Sequence, residues 1–136
     1  MIVIDASVAL KWILEKEEYS DKALLIYKDH IEGKETVLVP ELLFIEVANT
    51  LVTKSQLTID EVSKGLSFVY KASLNTGGVD EKNILKISRL AKKYSTSVYD
   101  MLYAVIAKEN KTILVTADEG FIQKTGFKFV KHIKDI

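Results

Sequence analysis

The sequence contains no cysteine, a single proline (Pro40) and no long apolar run. Without cysteine, the chain cannot form disulfides, thiolate metal sites or a cysteine nucleophile. No apolar stretch approaches the length of a membrane span. No basic segment precedes the apolar start of the chain at Ile2–Ile4, so the N-terminus is not typical of a signal peptide. These absences predict a cytoplasmic protein.

An excess of one charge sign is also lacking, because Lys plus Arg and Asp plus Glu each total 19 and the formal net charge is zero. The basic footprint of a duplex-DNA-binding domain is therefore absent. Arg89 is the only arginine, so bidentate recognition of phosphates is nearly excluded. His30 and His132 lie far apart, and we expect exposed positions for them rather than a zinc site.

Short β-branched runs alternate with longer helical patterns along the 136 residues, of which 48% are hydrophobic. The runs lie at 2–4, 36–39, 112–115 and 127–130. The first three are continuously apolar, which is typical of strands covered on both faces. We therefore predict one α/β domain spanning residues 1–136. It is a three-layer sandwich whose mostly parallel sheet, of about four to five strands, is flanked by six or seven helices.

Local signals predict where the helices begin and end. A helix over 41–54 would follow Pro40, with an apolar stripe formed by Leu42, Ile45, Ala48 and Val52. Gly33 and Gly126 are predicted to end helices. Helix starts, two of them capping boxes at Thr58 and Thr116, are predicted at Ser7, Thr58, Asp80, Ser97 and Thr116.

Four acidic residues stand beside these elements. Asp5 directly follows the first strand, Glu46 lies in the first turns of the helix after the second strand, and Asp118 shortly follows the third strand run. Ligands bind along the carboxyl edge of open parallel sheets, and these three positions face that edge. Asp100 lies in the first turn of a later helix, and its position leaves the edge undetermined.

Four carboxylates in one pocket would repel one another, and some would take up protons unless a cation compensated them. Hard oxygen ligands favour Mg²⁺, with Mn²⁺ as a possible substitute. A site without histidine or cysteine suits metal-assisted hydrolysis of a phosphodiester better than acyl transfer.

Each acid also has a simpler interpretation. Asp100 and Asp118 occupy helix first turns, where acids are common, and Glu46 alone is compatible with a solvated helix face. A purely structural interpretation is less satisfactory for Asp5, because a charge directly after a buried strand is costly without a partner.

Three polar residues near these acids are ambiguous in the same way. Ser7 and Thr116 are most simply helix caps, although the Thr116 hydroxyl could also hold a carboxylate or a water. Asn49 follows Glu46 by one turn and could line a site, but a solvated face is the simpler interpretation. Tyr103 is predicted to be part of the core.

In these positions the sequence resembles the PIN-domain ribonucleases, and within them the VapC-type toxins of toxin–antitoxin pairs. The resemblance extends over essentially the whole chain, in order. It is carried by the segments Ile-Val-Ile-Asp-Ala-Ser at 2–7, Pro-Glu-Leu at 40–42 with Glu-Val-Ala-Asn at 46–49, Tyr-Asp-Met-Leu-Tyr-Ala at 99–104, and Leu-Val-Thr-Ala-Asp-Glu-Gly-Phe at 114–121.

This resemblance implies a PIN-like fold and a metal-dependent endoribonuclease. Asp5 and Asp100 would be the main Mg²⁺ ligands, Glu46 would bind directly or through water, and Asp118 would complete the site, unless Glu119 shares its role. The resemblance also implies that the helix at Asp100 faces the same edge as the other acids. Supporting residues would be Ser7, Thr116 and Asn49.

The implied partners are an RNA substrate, a second copy in a homodimer, and a small DNA-binding antitoxin covering the acidic groove.

The sequence is also compatible with other functions. An RNA-processing nuclease without an antitoxin would use the same site. A receiver-like phospho-signalling domain also gathers strand-end acids around Mg²⁺, but here no strand in the middle of the chain ends in Asp and no lysine follows a late strand. A haloacid-type phosphatase is disfavoured because Ser7 stands where its second acid is expected. A binding module without activity is disfavoured by four intact acids.

Overall fold

A computed structural model describes residues 1–136. It contains a parallel sheet of five strands flanked by seven α-helices, which confirms the predicted α/β sandwich. The strands are β1 (Ile2–Ile4), β2 (Val37–Pro40), β3 (Asn75–Gly77), β4 (Leu114–Thr116) and β5 (Val130–His132). The helices are α1 (Ala6–Leu10), α2 (Ser20–Ile31), α3 (Leu42–Thr53), α4 (Ile59–Lys71), α5 (Glu81–Tyr94), α6 (Val98–Glu109) and α7 (Glu119–Thr125), followed by a 3₁₀ turn at Ile133–Asp135.

β1 lies at the centre of the sheet, whose order is β3-β2-β1-β4-β5. Val3 pairs with Leu38 of β2 on one side and with Leu114 of β4 on the other. The chain builds one half of the sheet outward from β1 and then returns to build the other half from β4. The boundary between β1 and β4 is therefore the topological switch point, where parallel sheets form a crevice at the carboxyl ends of their strands.

α6 packs against β1 and β2 at this centre. Residues 101–107 of α6 are all buried, so the middle of this helix is covered on every side. Elsewhere α4 packs unusually closely, because a Cβ at Gly65 would lie 2.7 Å from Cγ2 of Ile13. No helix in the structure combines the length and the apolar composition that a membrane span needs.

Two strand predictions need correction. β3 was not predicted, since its polar residues lie at an exposed edge of the sheet and carry no apolar signal. The run at 127–130 overlaps β5 only at Val130, because β5 begins there and ends at His132. Phe127 and Phe129 instead stack on each other before the strand, with ring centroids 5.2 Å apart.

Three predicted helix starts are confirmed, with Thr58 in a complete capping box and Asp80 and Ser97 as N-caps. Gly33 and Gly126 adopt the predicted left-handed conformation after their helices, at φ +72° and +60°.

The other two predicted caps are wrong. α1 is capped by Asp5, not Ser7, and α7 by Asp118, not Thr116. Thr116 is the last residue of β4, and Asp118, two residues later, caps α7 in its place.

The apolar stripe predicted on α3 is also wrong. The buried residues are Leu43, Val47 and Leu51, whereas Ile45 and Val52 are 67% and 64% exposed. Apolar residues occur around most of this helix, so spacing alone did not determine which side is buried.

His132 was expected to be exposed and is buried, with its Nδ1 accepting a hydrogen bond from the Lys134 backbone N–H at 3.0 Å.

Candidate active site

Asp5 directly follows β1 and caps α1, and both of its carboxylate oxygens accept hydrogen bonds. Oδ1 accepts hydrogen bonds from the Ser7 hydroxyl at 2.5 Å and from the Val8 backbone N–H at 3.3 Å. Oδ2 accepts one from the Thr116 hydroxyl at 2.5 Å. The carboxylate is therefore fixed by its own helix on one side and by β4 on the other.

The two hydroxyls are themselves oriented by backbone groups after β4. Ser7 Oγ accepts the Ala117 N–H at 2.9 Å, and Thr116 Oγ1 accepts the Asp118 N–H at 3.0 Å. Each hydroxyl has one proton, and with a backbone donor on its oxygen that proton is left for Asp5. Ser7 and Thr116 thus brace Asp5 across the switch point.

Glu46 on α3 is held by Tyr103, for which the sequence predicts only a position in the core. The Tyr103 hydroxyl donates to Glu46 Oε2 at 2.5 Å, although the two residues are 57 positions apart. Tyr103 is 1% exposed, so its ring belongs to the core while its hydroxyl reaches the pocket. One signal could have identified it: Tyr103 follows Asp100 by three residues and so shares its helix face.

Asp100 lies in the first turn of α6, where its backbone N–H donates to Ser97 Oγ at 3.0 Å. Asp118 is exposed at the start of α7 and accepts the Phe121 N–H at 3.0 Å. A pocket of about 360 Å³ brings both together with the other acids. Its lining residues are Asp5, Ala6, Ser7, Leu10, Glu46, Asn49, Thr50, Lys54, Asp100, Tyr103 and Asp118.

Three features of this lining bear on the predicted residues. Asn49 lies on the wall of the pocket, while Thr116 lies behind Asp5. Glu119 does not line the pocket and instead accepts an ion-pair hydrogen bond from Lys134 at 2.8 Å. Lys54 is the only cationic residue of the lining.

The pocket is electrostatically unfavourable to its own carboxylates. Burial raises the pKa of Asp5 to about 6, and the charge of Asp100 adds to the increase. Burial also raises the pKa values of Glu46 and Asp100, with further contributions from Asp100 on Glu46 and from Asp118 on Asp100. Asp100 therefore repels each of the other three acids, which identifies it as the electrostatic centre of the group.

The donor set fits a hard divalent cation, because it offers carboxylate oxygens whose mutual repulsion a cation would relieve. No three acidic or histidine side chains come close enough together to form a complete metal cage. Magnesium does not need one, since it retains several waters and binds through one or two carboxylates. The geometry therefore suits a hydrated ion more than a fully enclosed one.

Comparisons with known proteins concern the family and the fold of the chain. A family model described as the PIN domain matches residues 2–127. Among solved structures, the crystal structure of PAE2754 from Pyrobaculum aerophilum is similar, with a TM-score of 0.73 and 21% sequence identity, over 98% of this chain and 91% of that one. At that identity the likeness concerns the fold alone. No curated protein matches the sequence.

Proposed function

The chain belongs to the PIN-domain family, whose members are generally Mg²⁺-dependent nucleases, and from this premise we propose that it is an endoribonuclease that hydrolyses RNA phosphodiester bonds. Its catalytic group would be Asp5, Glu46, Asp100 and Asp118. The observation that carries the proposal is that these four carboxylates line one pocket at the switch point of the sheet.

Asp5 and Asp100 would be the principal ligands of Mg²⁺, with Mn²⁺ as a substitute, and Glu46 and Asp118 would complete the binding site. A bound ion supplies neutralisation of the phosphate charge and activation of water. The chain's own contribution is orientation. Ser7 and Thr116 hold both oxygens of Asp5, and the Phe121 N–H holds one oxygen of Asp118.

Lys54 supplies the positive charge that an RNA backbone needs next to four acids. It lies at the end of α3 as an exposed residue of the pocket lining. Asn49 lines the pocket from the same helix and can donate hydrogen bonds to a phosphate or a ribose. Both residues follow Glu46 along α3 and line the same pocket, so we expect them to contact a nucleotide next to the scissile bond.

The proposal is tested by cleavage of a labelled RNA with Mg²⁺ or Mn²⁺, comparing the parent with Asp5→Asn. The matched control is Asp21→Asn, which removes an exposed carboxylate from α2, outside the pocket. We expect metal-dependent cleavage by the parent and the control, and a loss of at least about 100-fold in Asp5→Asn, since the variant removes a metal ligand. Equal cleavage by parent and Asp5→Asn would reject the assignment of Asp5.

We further propose that the protein is the toxin of a toxin–antitoxin pair. It would act in the cytoplasm as a homodimer, inhibited by a small DNA-binding antitoxin. This part rests on the resemblance of the four acidic segments to VapC-type toxins. Growth arrest on expression, relieved by co-expression of a small neighbouring gene, would support it. Growth unaffected by expression of the active nuclease would favour an RNA-processing enzyme instead, and light scattering in solution tests the dimer.

A further inference from the structure

The hydrogen bond between Tyr103 and Glu46 assigns a role to a residue of the core. We propose that Tyr103 is a positioning residue: its hydroxyl fixes one oxygen of Glu46 and leaves the other available to a hydrated divalent cation in the pocket. This inference rests on the proposed metal-dependent function.

The two oxygens of Glu46 have different environments. Oε2 accepts the Tyr103 hydroxyl at 2.5 Å, whereas Oε1 makes no hydrogen bond or ion pair with the protein. Because Glu46 is half-buried in the lining of the pocket, the unbonded oxygen is the one available to a ligand. The hydrogen bond therefore favours binding through a single oxygen, directly or through a water.

Tyr103 is well suited to fix a neighbour because it is itself immobile. Its ring is 1% exposed, and it lies in the continuously buried segment 101–107 of α6. A phenol hydroxyl carries its proton at neutral pH, so the group is a hydrogen-bond donor. Its position is set by the packing of α6 on the central strands β1 and β2, independently of the surface helix that carries Glu46.

Glu46 needs such a partner for two reasons. A glutamate side chain has several rotatable bonds, and ordering them carries an entropic penalty at each binding event unless they are fixed beforehand. The like charge of Asp100, which lines the same pocket, would also push the Glu46 carboxylate away unless it is held. The Tyr103 hydroxyl opposes both effects, and it joins α3 to α6 at the point where Glu46 and Asp100 approach each other.

The test compares the Mn²⁺ affinity of the full chain by electron paramagnetic resonance, with thermal unfolding recorded for every variant. Tyr103→Phe keeps the ring and removes the donor, and we expect about tenfold weaker Mn²⁺ binding, as for other partners of metal ligands. The control is Tyr27→Phe, the same change at a hydroxyl that faces the Phe68 carbonyl at 3.5 Å, outside the pocket. It should bind Mn²⁺ like the parent.

A double-mutant cycle separates positioning from a general effect on the fold. In a Glu46→Ala background there is no carboxylate to position, so adding Tyr103→Phe should not weaken Mn²⁺ binding further. An equal loss with and without Glu46 would overturn the proposal, and so would Mn²⁺ binding by Tyr103→Phe that equals that of Tyr27→Phe. If Tyr103→Phe fails to fold while Tyr27→Phe folds, Tyr103 is a structural residue and the proposal is likewise overturned.

The outcomes also separate this inference from the proposed function. A parent protein that binds no Mn²⁺ and cleaves no RNA would reject both. A parent that binds Mn²⁺ and cleaves RNA, with Tyr103→Phe unchanged in both, would reject the role of Tyr103 alone.

Discussion

Asp5→Asn should make the metal-free protein more stable at neutral pH while it removes activity. Burial raises the pKa of Asp5 from 3.8 to about 6. Keeping this carboxyl ionised at pH 7 therefore opposes folding by up to about 3 kcal/mol, at about 1.4 kcal/mol for each pKa unit. Water entering the pocket screens part of this penalty, so the value is a ceiling.

The neutral amide removes that penalty and keeps most of the contacts. Its oxygen can still accept from Ser7 and Val8, and its NH₂ can donate to Thr116 Oγ1 after the threonine proton turns away. Turning the Thr116 proton away from the carboxyl position costs about 1 kcal/mol, the net worth of one neutral hydrogen bond. The expected net gain is about 2 kcal/mol at pH 7.5, or roughly 6–10 °C in Tm for a domain of this size.

The pH dependence gives the sharper test. A raised carboxyl pKa means that the folded parent holds more protons than the unfolded chain between about pH 4 and 6, so its stability falls as the pH rises through that window. The advantage of Asp5→Asn should therefore be small at pH 4, grow to pH 6 and level off above 7. Urea unfolding in EDTA measures the difference in free energy of unfolding between the variant and the parent. The exposed control Asp21→Asn should change stability by about 0.5 kcal/mol or less. If the free energies of unfolding of Asp5→Asn and the parent differ by a constant amount across this pH range, or if the variant is less stable at pH 7.5, the burial penalty on the Asp5 charge is refuted.

Three further predictions concern other parts of the chain. Lys54→Ala should weaken RNA binding and reduce the slope of log affinity against log salt by about 0.7, the value for one phosphate contact on a single strand. The control Lys28→Ala on α2 should change neither the affinity nor the slope. Equal salt slopes, by fluorescence anisotropy on a catalytically inactive background, would remove Lys54 from the RNA site. Asp118→Asn should weaken Mn²⁺ binding about tenfold and Glu119→Gln less than about twofold, because Glu119 lies outside the pocket lining; the reverse order would exchange their roles. Gly65→Ala should lower the free energy of unfolding by about 1–2 kcal/mol in urea, because the new Cβ overlaps the Ile13 side chain and this outweighs the gain in helix propensity. An unchanged urea midpoint would show that the Ile13 side chain moves aside without cost.

Signals contained within a short segment predicted the structure well. The capping box at Thr58 and the caps at Asp80 and Ser97 depend on residues three positions apart, and each formed as expected. Ser7 and Thr116 carry the same local signal, yet their hydroxyls serve Asp5. For Thr116 the competitor is a carboxylate from the far end of the sequence, about which a local pattern holds no information. For Ser7 it is Asp5, only two residues earlier, which takes the capping position of α1 itself.

The positions of the acids likewise depend partly on local sequence signals and partly on packing between distant segments. The position of Asp5 at the carboxyl end of β1 follows from the buried run before it. The residues around Asp100 do not specify which edge of the sheet the start of α6 faces. The sequence position of Asp100 alone therefore could not show that it joins the other acids. Packing of α6 on β1 and β2 brings Asp100 close enough to affect the pKa of Asp5.

The sequence alone determined the α/β class, the strand-end position of Asp5 and a set of oxygen donors without histidine or cysteine. These properties depend on residue type and on periodicity, which neighbouring residues specify. Only the tertiary structure decided that β3 forms an exposed edge, that Leu43, Val47 and Leu51 are the buried side of α3, and that Tyr103 holds Glu46. Each of these depends on contacts between segments far apart in the chain, where burial and pairing are set by packing rather than by local preference.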